Sequence, residues 1–133
     1  MKHKISIDFD NTLVEPSRFI APHIINGKPE PGAKEALIKL SEYFEIIIFS
    51  CRAAGGGGKE AIADWMKKYE IPYSLITNIK LPSLFYVDDR SLNYNGDWKS
   101  VLHTIATREV AEPGHDNINP IKKEDSHDHQ IRS

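Results

Sequence analysis

Residues 45–50, EIIIFS, constrain this chain more than any other segment, because four consecutive large apolar side chains run straight into a hydroxyl. A strand with one wet face alternates apolar and polar residues, whereas an unbroken run marks a strand covered on both faces, as in a parallel sheet. Residues 4–9, KISIDF, form a second short β-branched run, which ends in the polar cluster Asp8 to Thr12. Between the two, Ala33, Ala36, Leu37, Leu40 and Phe44 recur at helical spacing behind Pro31-Gly32, which predicts a helix over 32–44.

The same alternation continues. Gly55 to Gly58 break the chain before a predicted helix at 59–69, whose apolar face carries Ile62, Trp65, Met66 and Tyr69. A strand is expected at 73–77 and a fourth, buried strand at 84–87. A last helix over 98–106 presents Trp98, Val101, Leu102 and Ile105. Strands alternating with helices predict an α/β fold: a single Rossmann-like, doubly wound parallel sheet with helices on both faces. Asn26-Gly27, after His23, Ile24 and Ile25, predicts a hairpin. Trp65 and Trp98 are expected in the core.

After Thr107 the periodicity stops, and residues 108–133 carry few large apolar side chains. They cannot bury enough surface to offset ordering entropy, so a core over 1–107 and a disordered polar tail are expected. The 133 residues fit one domain, and 40% apolar with 27% charged residues is ordinary for a soluble protein. A formal net charge of -2 removes bulk attraction to nucleic acid or to an anionic membrane. A single cysteine, Cys51, excludes an internal disulfide. With no apolar stretch resembling a signal peptide or a span, the expected compartment is the cytoplasm.

In an open parallel sheet, ligands bind beyond the carboxyl ends of the strands. The polar residues at such places are Asp8 and Asp10, Ser50, Lys80, and the pair Asp88 and Asp89. Four carboxylates in one pocket repel one another unless a cation sits between them. Mg²⁺ takes oxygen ligands in octahedral geometry and suits Asp8, Asp10, Asp88 and Asp89. Ser50 and Lys80 are then placed to bind the other side of a phosphoryl group, with Cys51 and Arg52 beside Ser50 as further substrate contacts.

In this order, Asp8-Phe9-Asp10-Asn11-Thr12, Ser50 after IIIF, Lys80, and Asp88-Asp89 after LFYV resemble the four motifs of the haloacid dehalogenase superfamily of aspartate-nucleophile phosphotransferases. The resemblance covers residues 4 to 106. It implies that Asp8 attacks phosphorus to form an aspartyl-phosphate, and that Asp10 acts as general acid and then base. It also implies that Thr12 braces the loop and that Asp88 and Asp89 hold Mg²⁺, Asp89 more directly. A second acid suits an ester leaving group, so the implied activity is phosphate monoester hydrolysis. Receiver domains combine similar residues, but their phospho-acceptor follows a middle strand.

The intervals 13–45 and 51–79 leave no room for a cap domain. A capless site implies a phosphorylated small molecule with a neighbouring subunit as cover, hence a possible homo-oligomer, or a macromolecular phosphate end. Ser50-Cys51-Arg52, a helix with Trp65 followed by Ile71-Pro72, and Val87-Asp88-Asp89-Arg90 also resemble the phosphatase domain of polynucleotide kinase-phosphatases. A polynucleotide 3′-end phosphatase is therefore the alternative substrate reading, and a non-catalytic binding module that kept the fold is the alternative class. The Gly55 to Gly58 run is expected to be a mobile loop and lacks the Lys-Ser/Thr ending of a P-loop. His115, His127 and His129 lie in the polar tail, where fixed metal geometry is not expected.

Overall fold

The computed structural model describes residues 2–108, and the chain divides into one unit ending at Asp89 and a second beginning at Arg90. The first unit runs β1 (His3–Asp8), α1 (Ala33–Ser41), β2 (Phe44–Phe49), a 3₁₀ turn (Cys51–Ala54), α2 (Gly58–Lys68), β3 (Leu75–Thr77) and β4 (Phe85–Val87). The strands form one sheet in the order β3-β2-β1-β4, and every pairing is parallel. The chain is therefore an α/β protein built on a parallel sheet.

Register explains where the core lies. Ile5 pairs with Ile46, Ile7 with Ile48, and Ile48 with Ile76, so these side chains share one face. They are buried in a single cluster with Leu37 of α1 and with Ile62, Trp65 and Met66 of α2. Both helices thus cover the same face. On the opposite face Ser6 and Ile47 are paired and also buried, and the Ser6 hydroxyl lies 2.6 Å from that of Ser83.

The fourth strand is not buried as its sequence predicts. Phe85, Tyr86 and Val87 are 59%, 44% and 44% exposed. Among the described residues β4 pairs with β1 alone, at one edge of the sheet, and none of its side chains joins the buried cluster under α1 and α2, as Ile76 of the other edge strand does. A run such as LFYV reads alike in the middle of a sheet and at its border.

Between β1 and α1 the chain folds into a flap over residues 13–30. Backbone bonds from Glu15 to the Lys28 carbonyl (2.8 Å) and from Glu30 to the Leu13 carbonyl (2.7 Å) tie its two arms together. A hairpin is present, but its tip is not Asn26-Gly27. The tip is Ala21 to Ile24, closed by the Ile24 amide on the Ala21 carbonyl at 3.1 Å, with Pro22 supplying the turn's fixed φ. Gly27 serves close packing instead, since a Cβ there would collide with Val14. Its carbonyl accepts from the Trp65 indole at 2.9 Å, which seats the flap on α2.

In the second unit, α3 spans Trp98–Thr107. Asp97 caps it by accepting from the Lys99 amide at 3.0 Å. Trp98 is 67% exposed rather than in the core. It is the first residue of the helix, and its ring lies 5.1 Å from that of Tyr94. Of the expected tail over 108–133, all but Arg108 falls outside the described residues, the three histidines included. Among the described residues, no helix is long and apolar enough to cross a membrane.

Candidate acidic site at the carboxyl edge of the sheet

Because all four strands run the same way, their carboxyl ends meet along one edge. Ile7 pairs with Val87, so one step further the chain brings Asp8 beside Asp88. Carboxylate oxygens of Asp8, Asp88 and Asp89 all lie within 4.8 Å of one another. Asp8 holds its proton far above the usual carboxylate range, up to about 7 from 3.8. Burial is the largest cause, followed by the Asp88 charge and a hydrogen bond shared with the Asp89 carboxyl. Thr12 opposes the shift by donating its hydroxyl to Asp8 Oδ2 at 3.1 Å.

The loop after β1 makes that last contact possible. The amides of Thr12, Leu13 and Val14 all turn back onto the Phe9 carbonyl, and Asn11 takes the left-handed conformation with φ 63°, which asparagine tolerates better than most residues. Phe9 is fully buried and meets the Trp65 ring edge-on at 5.0 Å. The anchor leaves Asp8 and Asp10 half-buried on either side of Phe9, which plugs the core.

Asp10 is directed elsewhere. Its carboxylate is held by Arg52, with Nε on Oδ2 and Nη2 on Oδ1, both at 2.8 Å. Arg52 Nη1 donates to the carbonyls of Ala21 (2.8 Å), Pro22 (3.0 Å) and Ile24 (2.9 Å) at the flap tip, and the Phe19 ring lies 4.7 Å from the guanidinium carbon. The side chain is only 5% exposed. The donors of Arg52 thus face inward, onto Asp10 and the flap.

Ser50 lies one residue past the Phe49 that pairs with Asp8. Its buried hydroxyl accepts from the Arg52 amide at 3.1 Å and so starts the 3₁₀ turn. The hydroxyl proton stays available for donation. Cys51 is an exposed free thiol. Lys80 is exposed, with its ammonium 4.8 Å from the centre of the Tyr86 ring on β4. The structure thus brings together Asp8, Asp88 and Asp89, and separately Asp10, Ser50 and Arg52, while Lys80 lies against β4.

Within the Gly55 to Gly58 run, Gly56 and Gly57 lie against the flap. A Cβ at Gly56 would stand 3.5 Å from Pro22 Cγ, and one at Gly57 would stand 3.4 Å from His23 Cβ. At Gly58 a Cβ would overlap the Arg52 carbonyl. Gly58 therefore permits a close approach to the Arg52 backbone, while Gly56 and Gly57 supply the left-handed φ of 62° and 76°.

The acidic cluster suits a hard divalent cation. Its donors are all oxygens, and two ligands across an Mg²⁺ ion stand about 4.2 Å apart, within the spread of the three carboxylates. Burial, and after it the repulsion from Asp88, raise Asp8, and a bound cation opposes both. Asp10 offers no carboxylate to that group, its two oxygens being engaged by Arg52. No protein-family model, curated protein or solved structure matches this chain.

Proposed function

We propose that the protein is a Mg²⁺-dependent phosphatase of the haloacid dehalogenase type, on a Rossmann-like doubly wound frame, that hydrolyses phosphate monoesters through an aspartyl-phosphate on Asp8. The observation that carries this reading is the meeting of Asp8, Asp88 and Asp89 at the carboxyl edge of a parallel sheet, with Asp10 two residues further along. Asp8, Asp88 and Asp89 would hold Mg²⁺, which would neutralise carboxylate charge and keep Asp8 ionised.

In the proposed reaction an Asp8 carboxylate oxygen forms a bond to phosphorus as the bond to the leaving oxygen breaks. Asp10, which faces Arg52 as a carboxylate, would first take a proton from solvent at its exposed edge and then give it to the leaving oxygen. A water then attacks phosphorus, gives its proton to Asp10, and releases inorganic phosphate with Asp8 restored. Thr12 orients Asp8 through its hydroxyl. Ser50, whose proton is free to donate, and Lys80, on movement from Tyr86, are the proposed donors to the non-bridging oxygens.

Phosphorylated small molecules are the favoured substrates. The net charge of -2 and the inward turn of Arg52 both weaken a polynucleotide 3′-end activity. The cytoplasm is the compartment that fits this chemistry. Release of inorganic phosphate from a panel of sugar phosphates, nucleotides and 3′-phosphorylated oligonucleotides, with Mg²⁺ and then with EDTA, tests the proposal. Turnover unaffected by EDTA, or none with any ester, would refute it.

A further inference from the structure

We propose that Arg52 is a positioning residue that joins the Asp10 carboxylate and the flap tip into one unit, so that the seating of the flap and the orientation of Asp10 depend on each other. The part of this that concerns Asp10 as acid and base rests on the phosphatase reading; the mechanical link does not.

The guanidinium is planar and offers its donors in a fixed fork. One edge of that fork, Nε and Nη2, is matched by both oxygens of Asp10. The remaining nitrogen, Nη1, faces three carbonyls from four consecutive flap residues. A carbonyl cluster of this kind concentrates negative potential and needs a cation or several donors to be tolerated away from water. Arg52 supplies both, and its charge is balanced by Asp10.

The flap is also fixed from its other sides. Pro22 and His23 lie against Gly56 and Gly57, Gly27 accepts from Trp65, and the two arms are tied by backbone bonds. Arg52 itself is held from behind, because its amide donates to the Ser50 hydroxyl and its carbonyl leaves no room for a side chain at residue 58. A rigid base, a fixed fork and a seated flap leave the Asp10 carboxylate one orientation. Asp10 still keeps 36% side-chain exposure, so an outer edge of the carboxylate stays open to substrate or water. The flap is thus a fixed wall of the site, and Arg52 is occupied in holding it rather than available to a phosphate.

Hydrogen exchange and kinetics together test the link. Asp10→Asn and Arg52→Lys each keep a polar group but lose the two-point contact. Both should speed exchange of the Ile24 amide by about tenfold or more, while core amides of α2 stay protected. Arg52→Lys should also lower turnover of an alkyl phosphate by about tenfold more than turnover of p-nitrophenyl phosphate, whose leaving group needs little protonation. Unchanged exchange at residues 21–24 in both variants would overturn the link, and equal kinetic losses for the two esters would overturn the positioning of Asp10. A wild-type protein that hydrolyses neither ester would refute the phosphatase reading, and the exchange result would then decide the link by itself. Should Arg52→Lys fail to fold, Asp10→Asn alone carries the exchange test.

Discussion

Arg52 reaches across 42 positions of sequence to hold both oxygens of Asp10, each at 2.8 Å. The pair is unequal, since the guanidinium is buried while the carboxylate keeps access to water. Replacing the exposed partner strands a buried charge, whereas replacing the buried one lets Asp10 hydrate. Asp10→Leu should therefore destabilise by about 3–5 kcal/mol. Arg52→Met, which mainly leaves the flap carbonyls short of donors, should cost about 2 kcal/mol. Urea midpoints at unchanged slope measure both. The reverse order would show that burial does not govern this pair.

The raised Asp8 pKa fixes the sign of a pH effect. Between 3.8 and about 7 the folded state binds a proton at Asp8 that the unfolded chain has released. Stability from this group is full below 3.8 and is lost as pH rises through about 7. In EDTA, Asp8→Asn should thus gain stability over wild type as pH rises, with the difference vanishing in acid. A pH-independent difference between the two melting curves would show that Asp8 titrates normally.

Cation binding should appear as stabilisation without any substrate. At a hundredfold excess over its dissociation constant, Mg²⁺ should stabilise the wild type by about 2.7 kcal/mol. Asp88→Asn and Asp89→Asn should each reduce that gain at equal Mg²⁺. Asp10→Asn should keep it, because the Asp10 carboxylate lies outside the cluster. Thermal melts in Mg²⁺ and in EDTA distinguish these variants; loss of the Mg²⁺ effect in Asp10→Asn would place that side chain among the ligands.

Gly58→Ala should be disproportionately harmful for a single methyl group. The added Cβ meets the backbone carbonyl of Arg52, which a rotamer change cannot relieve. A loss of about 2 kcal/mol or more is expected, with faster exchange at the flap tip. Full stability in the variant would mean that the backbone around Arg52 yields easily.

Much of this architecture is legible in the sequence because it follows from periodicity. Ile46 to Phe49 read as a buried strand, and Ile62, Trp65 and Met66 as the inner face of a helix; Ile46 to Ile48 are buried, with Phe49 partly so, and the helix face is in the core. Strand ends then locate Asp8 and Asp88 at a common edge. Composition does not say which strand the helices leave uncovered, so Phe85 to Val87 read as buried and are not. Nor does it distinguish a glycine used for turning from one used for packing, as at Gly27. The fate of Arg52 was least legible, because its partners Asp10, Ala21, Pro22 and Ile24 are 28 to 42 positions away and no local pattern pairs an arginine with a proline-bent carbonyl cluster. The 3₁₀ turn at Cys51–Ala54, which aims Arg52, is too short for any periodic signal.

Trapping the phosphoenzyme tests the central claim most directly. Asp10→Asn incubated with Mg²⁺ and p-nitrophenyl phosphate should release one equivalent of p-nitrophenolate in a burst and keep the phosphoryl group, since hydrolysis of the intermediate lacks its base. Mass spectrometry of the digested protein should then find the phosphoryl group on Asp8, and Asp8→Asn should carry none. Burst-free turnover with Asp8 unmodified, or a phosphoryl group on any other residue, would contradict the account.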